Sequence, residues 1–293
     1  MGNVYVLGSI NYDIVTTCKR LPVQGETING SEFFCNSGGK GANQAVAAQK
    51  AGAVTFLLGG VGNDDFGKVC LDTISNYGVN TKFVQKTGGN TGSAVIIINN
   101  NDNRIIINSG ANSAFDKEKM LLVIKDNIKP NDIFAVQLEI PLSYVEEGLE
   151  IAKMCGATTI LNPAPAVKLS DKILENTDII VPNETEAMIL TGTENYKKAC
   201  EIINVNNIIV TLGAKGCYYN GKVYPAKNST PLDTTAAGDT FIGVLAACLS
   251  KGKSIEESIE YCQCACSITI ERKGAQISIP TAEEIEMRFK EEK

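Results

Sequence analysis

The strongest constraint on the fold is a repeated pattern: short apolar runs without polar alternation, each followed by a longer segment of helical period. Runs at Asn3–Ile10, Val54–Gly59, Asp132–Leu138, Thr158–Leu161, Asp178–Val181 and Asn207–Leu212 predict strands. A strand with no polar face must be buried on both sides, which places these runs inside a parallel sheet. Helical period falls at Gly41–Ala51, Asp65–Tyr77, Asp116–Asn127, Pro141–Met154, Thr185–Leu190, Tyr196–Val205, Asp239–Leu249 and Ile255–Ile270. The alternation predicts a doubly wound, mostly parallel α/β sheet with helices on both faces. A chain of 293 residues buries enough core for this without disulfide or metal staples. With no linker, repeat or low-complexity tract, residues 1–293 read as a single domain.

Two stretches break the alternation. Asn29–Cys35 and Ser93–Ser109 read as antiparallel strands, the second folding back at Asn100, Asn101, Asp102 and Asn103, which tolerate turn geometry. They predict a small accessory sheet, inserted at about residues 12–37 and 92–110, that lids a small ligand. Val95–Ile98 and Ile105–Ile107 have no polar face, so the lid's second side needs cover. Either lids of two chains pack into a homodimer, or the sheet folds against its own core.

The absence of histidine narrows the chemistry. It excludes a Ser-His-Asp triad, a Cys-His pair and a His-ligated metal, leaving acid-base work to carboxylates, Lys, Cys or Tyr. A net charge of −6 argues against a protein whose main task is neutralising nucleic-acid phosphates. The ten Cys read as small buried thiols of a reducing cytoplasm, since the chain opens Met1-Gly2-Asn3-Val4 without a basic-then-apolar leader. Cys262, Cys264 and Cys266 do not suggest zinc, because a spacing of two does not line one helix face. No apolar run reaches the roughly eighteen residues of a membrane span.

Five constellations could carry chemistry. Ser37-Gly38-Gly39-Lys40-Gly41-Ala42-Asn43 opens a helix, where glycines let a ligand approach free N–H groups and Lys40 adds a mobile charge. It is not a P-loop, because Lys40 is followed by Gly rather than a hydroxyl residue. Asp233 to Phe241 leads into a helix of small residues; Ala236, Ala237 and Gly238 can converge their N–H groups on an anion, with Asp239 in the first turn as a base. Asp239 is otherwise an ordinary dipole-stabilising acid. Asn183-Glu184-Thr185-Glu186 follows a strand and offers oxygens to a hydrated Mg²⁺, or else forms an ordinary helix cap. Thr211-Leu212-Gly213-Ala214-Lys215-Gly216 admits a nucleotide or turns a hairpin into Cys217–Tyr224. Asn11-Tyr12-Asp13, at the end of the first strand, presents two polar heads to vicinal hydroxyls or makes an Asx turn. All five fall after strands or at helix starts, the edge where open α/β sheets bind ligands.

Together Asn11 to Asp13, Gly38 to Asn43, Asn183 to Glu186, Thr211 to Gly216 and Asp233 to Asp239 resemble the PfkB (ribokinase-like) sugar kinases, over essentially the whole chain. Gly-Gly-Lys-Gly-Ala-Asn-Gln-Ala at Gly38, Gly110-Ala111-Asn112, Gln137-Leu138-Glu139 and Ala236-Ala237-Gly238-Asp239 are similar to the branch that phosphorylates ribose. The resemblance implies transfer of phosphate from ATP to the 5-hydroxyl of D-ribose. Asp239 matches the base, and Ala236, Ala237 and Gly238 the anion hole. Asn11, Asp13, Gly38, Gly39, Lys40, Gly41, Asn43 and Glu139 match sugar-contacting positions. Asn183, the Thr211–Gly216 turn, Gly238 and Gln263 correspond to nucleotide contacts, Gln263 standing where that branch usually carries Asn near the adenine. Glu186 corresponds to the residue that organises Mg²⁺ through water. A monovalent cation, usually K⁺, is implied near Asp233 and Thr235, with Thr269, Arg272, Gly274 and Ser278 matching the second half of that loop pair.

A related furanose or nucleoside, such as 2-deoxyribose, fructose or pseudouridine, is the alternative substrate. A sugar-binding regulator without catalysis is a further alternative, against which Asp239 speaks.

Overall fold

The six apolar runs are six neighbouring, parallel strands of the larger sheet. The computed structural model describes residues 1–99 and 102–291. The chain starts with β1 (Val4–Leu7), β2 (Asn11–Thr17), β3 (Glu32–Gly38), α1 (Lys40–Lys50), β4 (Thr55–Gly62), α2 (Asp65–Asn76) and β5 (Asn80–Thr87). It continues through β6 (Gly92–Asn99), β7 (Asp102–Asn108), a 3₁₀ turn at Gly110–Ser113, α3 (Lys117–Asn127), β8 (Ile133–Gln137), α4 (Leu142–Met154) and β9 (Thr158–Asn162). Then come α5 (Asp171–Glu175), β10 (Ile179–Ile180), α6 (Glu184–Thr191), α7 (Tyr196–Ile202), β11 (Asn207–Thr211), β12 (Cys217–Tyr219) and β13 (Lys222–Tyr224). Helices α8 (Ala237–Ser250), α9 (Ile255–Ile270) and α10 (Ala282–Glu291) close the order.

The larger sheet has nine strands in the order β13-β12-β11-β10-β9-β8-β1-β4-β5. Its strands from β11 to β5 pair in parallel, and β12 and β13 add an antiparallel hairpin. Two core layers cover its faces. One packs α1, α8 and α9 against the sheet through Val46, Val244, Ile259 and their neighbours. The other packs α3 and α4 through Met120, Ile124, Val145 and Leu149. The strand order runs outward in opposite directions from β1 and β8, so their carboxyl ends frame the crevice where such sheets take ligands.

The four-stranded sheet, β3-β2-β6-β7, is the accessory sheet. The predicted fold-back falls partly on Asn100 and Asn101, which lie outside the described residues; β6 and β7 pair antiparallel on either side of it. Asn11 to Asp13 are not the end of the first strand. β1 stops at Leu7, and Asn11 opens β2, which pairs antiparallel with β3 and parallel with β6. The chain therefore leaves the large sheet at Gly8–Ile10 and carries Asn11 and Asp13 onto the root of the small one. Two strands and two helices were not predicted. β5, Asn-Thr-Lys-Phe-Val-Gln-Lys-Thr, is an edge strand with many polar residues, and α10 is mostly charged. α5 spans only Asp171–Glu175, and β2 mixes polar and apolar residues. Cys262 and Cys264 are buried on α9 with Cys266 half-buried, and no three metal-binding side chains converge among the described residues. Among the same residues no helix is long and apolar enough to cross a membrane.

Candidate active site

The carboxyl ends of β9 and β11, the segment after β10 and the start of α8 surround a cavity of about 230 Å³. Lys40, Asn183, Glu186, Thr211 and the run Ala236 to Asp239 line it, so parts of four of the five constellations meet there. A larger hollow of about 450 Å³ opens at the opposite edge of the sheet beside Lys153 and Leu249, and no predicted site residue lines it.

Helix α8 is positioned by a close approach to α1. A Cβ on Gly243 would come within 2.5 Å of Gln44 O and would collide with Ala47 Cβ, so only glycine lets the two helices touch here. That contact sets Asp239 over α1. Asn43 Nδ2 donates to Asp239 Oδ2 at 3.0 Å, and Gln44 Nε2 donates to Oδ1 at 3.1 Å. The carboxyl is buried, which raises its pKa; the Lys40 charge and the two amide donors work in the opposite direction, and the net shift is upward. A buried carboxylate with raised basicity is a suitable proton acceptor. Ala236 caps α8 with φ 60°, a left-handed conformation that costs a non-glycine residue about 1 kcal/mol or more. Ala236, Ala237 and Gly238 line the cavity at this helix start, where the Ala237 N–H donates to Thr234 O at 3.3 Å.

Lys40 opens α1 beside three acids. The Asp239 charge, joined by Glu139 and Glu186, raises its pKa against the cost of burial, so it stays an ammonium. Glu139 follows β8 and accepts from Ser9 Oγ at 2.5 Å and from Lys40 N at 3.2 Å. Asp13 is pushed up to about 7, first by burial and then by the charges of Glu139 and Asp239. Asp13 lies against Gly38, where its carboxyl occupies the space a side chain would need. Gly39, at φ 90°, turns the chain into α1, and a Cβ on Gly41 would meet Gly8 C at 2.5 Å. Asn11 is held by Asn112, whose Nδ2 donates to Asn11 Oδ1 at 2.7 Å.

On the far side, Asn183 and Thr211 form a parallel bridge that closes the sheet end. Asn183–Glu186 form the helix cap: Asn183 Oδ1 accepts from Glu186 N at 2.8 Å and Glu186 Oε2 from Asn183 N at 2.8 Å, and Glu186 also lines the cavity. Burial raises the Glu186 pKa, opposed by the Asn183 bond and by Lys40. Leu212 N donates to Gly216 O at 2.8 Å around the turn Gly213–Lys215, which leads into the β12–β13 hairpin. Neither these residues beyond Thr211 nor Gln263, buried on α9, line the cavity itself.

The predicted cation loops touch. Asp233 Oδ1 accepts from Thr235 N at 2.9 Å and Thr235 Oγ1 at 2.6 Å, and Asp233 Oδ2 from Gly274 N at 2.9 Å. Burial opposes the Asp233 charge, but these bonds outweigh it and hold the carboxyl below its usual range. Thr269 Oγ1 donates to Ala265 O at 3.0 Å, and Ser278 Oγ to Ala275 O at 2.7 Å. The Arg272 side chain turns away to pair with Glu284.

Sequence reasoning quoted Gln44, Asn112 and Gln137 within motifs but gave them no role in the site, and it did not single out Ser9, Asn162 or Gln276. Gln44 and Asn43 are the two amides among the buried Gly, Ala and Val positions of their helix, and that pair was the available signal. The others have partners 93 or more residues away, except that Ser9 also reaches Gly41 and Asn162 also reaches Val181.

With this geometry in view, known proteins can be compared. A ribokinase of Haemophilus influenzae is 40% identical, the alignment covering 95% of each chain. A deoxyribokinase of Salmonella typhi is 34% identical over 96% of this chain and 97% of its own. A ribokinase of Arabidopsis thaliana, solved with ribose and ATP, superposes with a TM-score of 0.91 at 32% identity, covering 99% of both chains. The pattern of the pfkB family carbohydrate kinases matches residues 1–282, and the chain belongs to that family.

Proposed function

We propose that the protein transfers the γ-phosphoryl group of ATP to the 5-hydroxyl of D-ribose, giving ribose 5-phosphate and ADP. The observation that carries this reading is Asp239, buried at the first turn of α8 beside Lys40 in a cavity at the sheet's ligand edge. Asp239 takes the hydroxyl proton as the oxygen attacks the γ-phosphorus, and the bond from that phosphorus to the β,γ-bridging oxygen breaks. The N–H groups at Ala236, Ala237 and Gly238, with Lys40, offset the negative charge on the transferred group. Asp13, Asn11, Asn43, Glu139 and the Gly38–Gly41 backbone hold the sugar. Asn183, Thr211 and the Leu212–Gly216 turn, including Gly213, Ala214 and Lys215, hold the nucleotide, with Gln263 toward the base. Closure of the four-stranded sheet excludes water that would otherwise take the phosphate.

Oxygen donors around the site suit hard cations. One carboxylate, Glu186, set beside the phosphate position fits a largely hydrated Mg²⁺, which would neutralise phosphate charge. The Asp233–Gly274 bond joins the loop that carries Asp233 and Thr235 to the segment that carries Thr269, Arg272, Gly274 and Ser278. They fit a monovalent cation such as K⁺, which would shape the anion hole without touching substrate.

The small sheet serves as a homodimer interface. Phe33 is 70% exposed and Ile106 59%, apolar surface that a second copy would cover. The ten free thiols suit the reducing cytoplasm. A deoxyribokinase among the relatives makes 2-deoxyribose the second reading. ATP consumption measured across pentoses, hexoses and nucleosides, with and without K⁺, decides: ribose should turn over fastest, and inert ribose beside a rapid rival rejects the assignment.

A further inference from the structure

Both oxygens of Asp239 are reached by amides that are themselves held from behind. Gln44 Nε2 donates to Oδ1 at 3.1 Å, and Gln44 Oε1 accepts from Gln137 Nε2 at 2.6 Å. Asn43 Nδ2 donates to Oδ2 at 3.0 Å, and Asn43 Oδ1 accepts from Gln276 Nε2 at 3.2 Å. Two chains of amides thus run into one carboxylate, one from β8 and one from the segment before α10. All four amide residues are buried.

Their direction is informative. The remaining oxygens, Gln137 Oε1 and Gln276 Oε1, are buried with no hydrogen-bond partner. An unpaired buried carbonyl oxygen is costly, so something must fix each amide against rotation. The negative charge at the inner end does this: it requires an N–H from Asn43 and from Gln44, which turns their oxygens outward and leaves the oxygens of the outer glutamines unmatched. The second hydrogen of Gln44 Nε2 is also used, on Asn162 Oδ1 at 3.2 Å, and Asn162 is fixed by its bond to Val181 O at 3.0 Å.

Resting on the reading of Asp239 as the base, we propose that Gln137→Gln44 and Gln276→Asn43 are two positioning relays that keep Asp239 ionised and oriented for proton transfer. Asn43 and Gln44 act directly on the carboxylate, and Gln137 and Gln276 act through them. Lys40 of α1 favours the ionised form from one side; Glu139 after β8, Glu186 of α6 and Asp13 of β2 oppose it from others. The relays offset part of that opposition and of the burial.

The test is the pH dependence of kcat for Gln44→Met, Gln137→Met and Gln276→Met, with melting curves for each. Donors to a carboxylate lower its pKa, so removing one raises it. The acid limb of kcat should move up by about one pH unit in Gln44→Met, and by less in the two outer variants. At low pH this is roughly a tenfold loss, nearly absent on the alkaline side. Gln137→Met removes one unmatched oxygen but leaves another, Gln44 Oε1, so it should melt close to the parent while its acid limb still shifts; a purely structural role gives lower melting with no shift of that limb. It therefore carries the test if Gln44→Met does not fold. Acid limbs that superpose on the parent's overturn the relays. Asp239→Asn separates the two ideas: if it is inert while those limbs superpose, only the relays fail, whereas an active Asp239→Asn removes the base assignment itself.

Discussion

In the nine-stranded sheet Val6, Val136 and Ile160 are at most 1% exposed, whereas Ile105, Ile106 and Ile107 of β7 in the four-stranded sheet are half-exposed. The same residue type serves both, so the contrast lies in what covers it. Helices on both faces bury the large sheet, and its hydrophobic contacts hold the strands in place. The small sheet is fixed at its roots. Asn112 bonds Ile10 N at 2.9 Å and Asn11 Oδ1 at 2.7 Å where β2 begins. Thr91, just before β6, accepts from Gly62 N at 2.9 Å and gives its hydroxyl to Asp64 at 2.5 Å. One region is stabilised across its faces and the other is tethered along one edge, which is what a covering element that opens and closes requires.

The sharpest way to break this contrast is at the junction of the two regions. Asp239→Asn should lower kcat about a thousandfold with the fold intact, as judged by an unchanged melting curve. A loss of less than about tenfold would move the chemistry elsewhere in the cleft. On the small sheet's root, Asp13→Asn should raise the sugar KM roughly 10- to 100-fold while kcat changes less. Its stability effect has the opposite sense. A folded pKa of about 7, above the unfolded value, means the fold loses stability as pH rises from about 4 to about 7. Asp13→Asn should therefore melt higher than the parent above neutrality, and lower melting there would show that the carboxylate is favourably paired.

Smaller effects separate the two kinds of support. Gly243→Val, which forces α1 from α8, should destabilise the protein by about 1–3 kcal/mol and drop activity along with it. Ile106→Lys should leave the melting curve within about 0.5 kcal/mol of the parent in stability, because it touches no core. Its effect should appear in light scattering, as conversion of a dimer to a monomer. A dimer that survives Ile106→Lys would assign the exposed face to some other role.

Legibility followed burial symmetry. β1, β4 and β8 were read within a few residues of their ends because a strand covered on both sides has an apolar sequence of its own. β5 escaped, since one open edge permits Lys82, Gln85 and Lys86. The site residues that could be read were those beside glycines or at helix starts: Lys40, Asn183, Asp239. The bonds by which Gln44, Gln137 and Gln276 hold them were not, because an amide in an apolar segment does not reveal its partner.

The sequence alone determined the class of fold, the edge at which ligands meet it, and, by having no histidine, that any base must be a carboxylate, Lys, Cys or Tyr, since periodicity and side-chain chemistry are local properties. Tertiary structure decided that Asn11 starts a second sheet, that Gly243 lets α8 touch α1, and that two amide chains end on one buried carboxylate. Those outcomes depend on contacts between residues up to 233 positions apart, and such contacts form only once the whole core has packed.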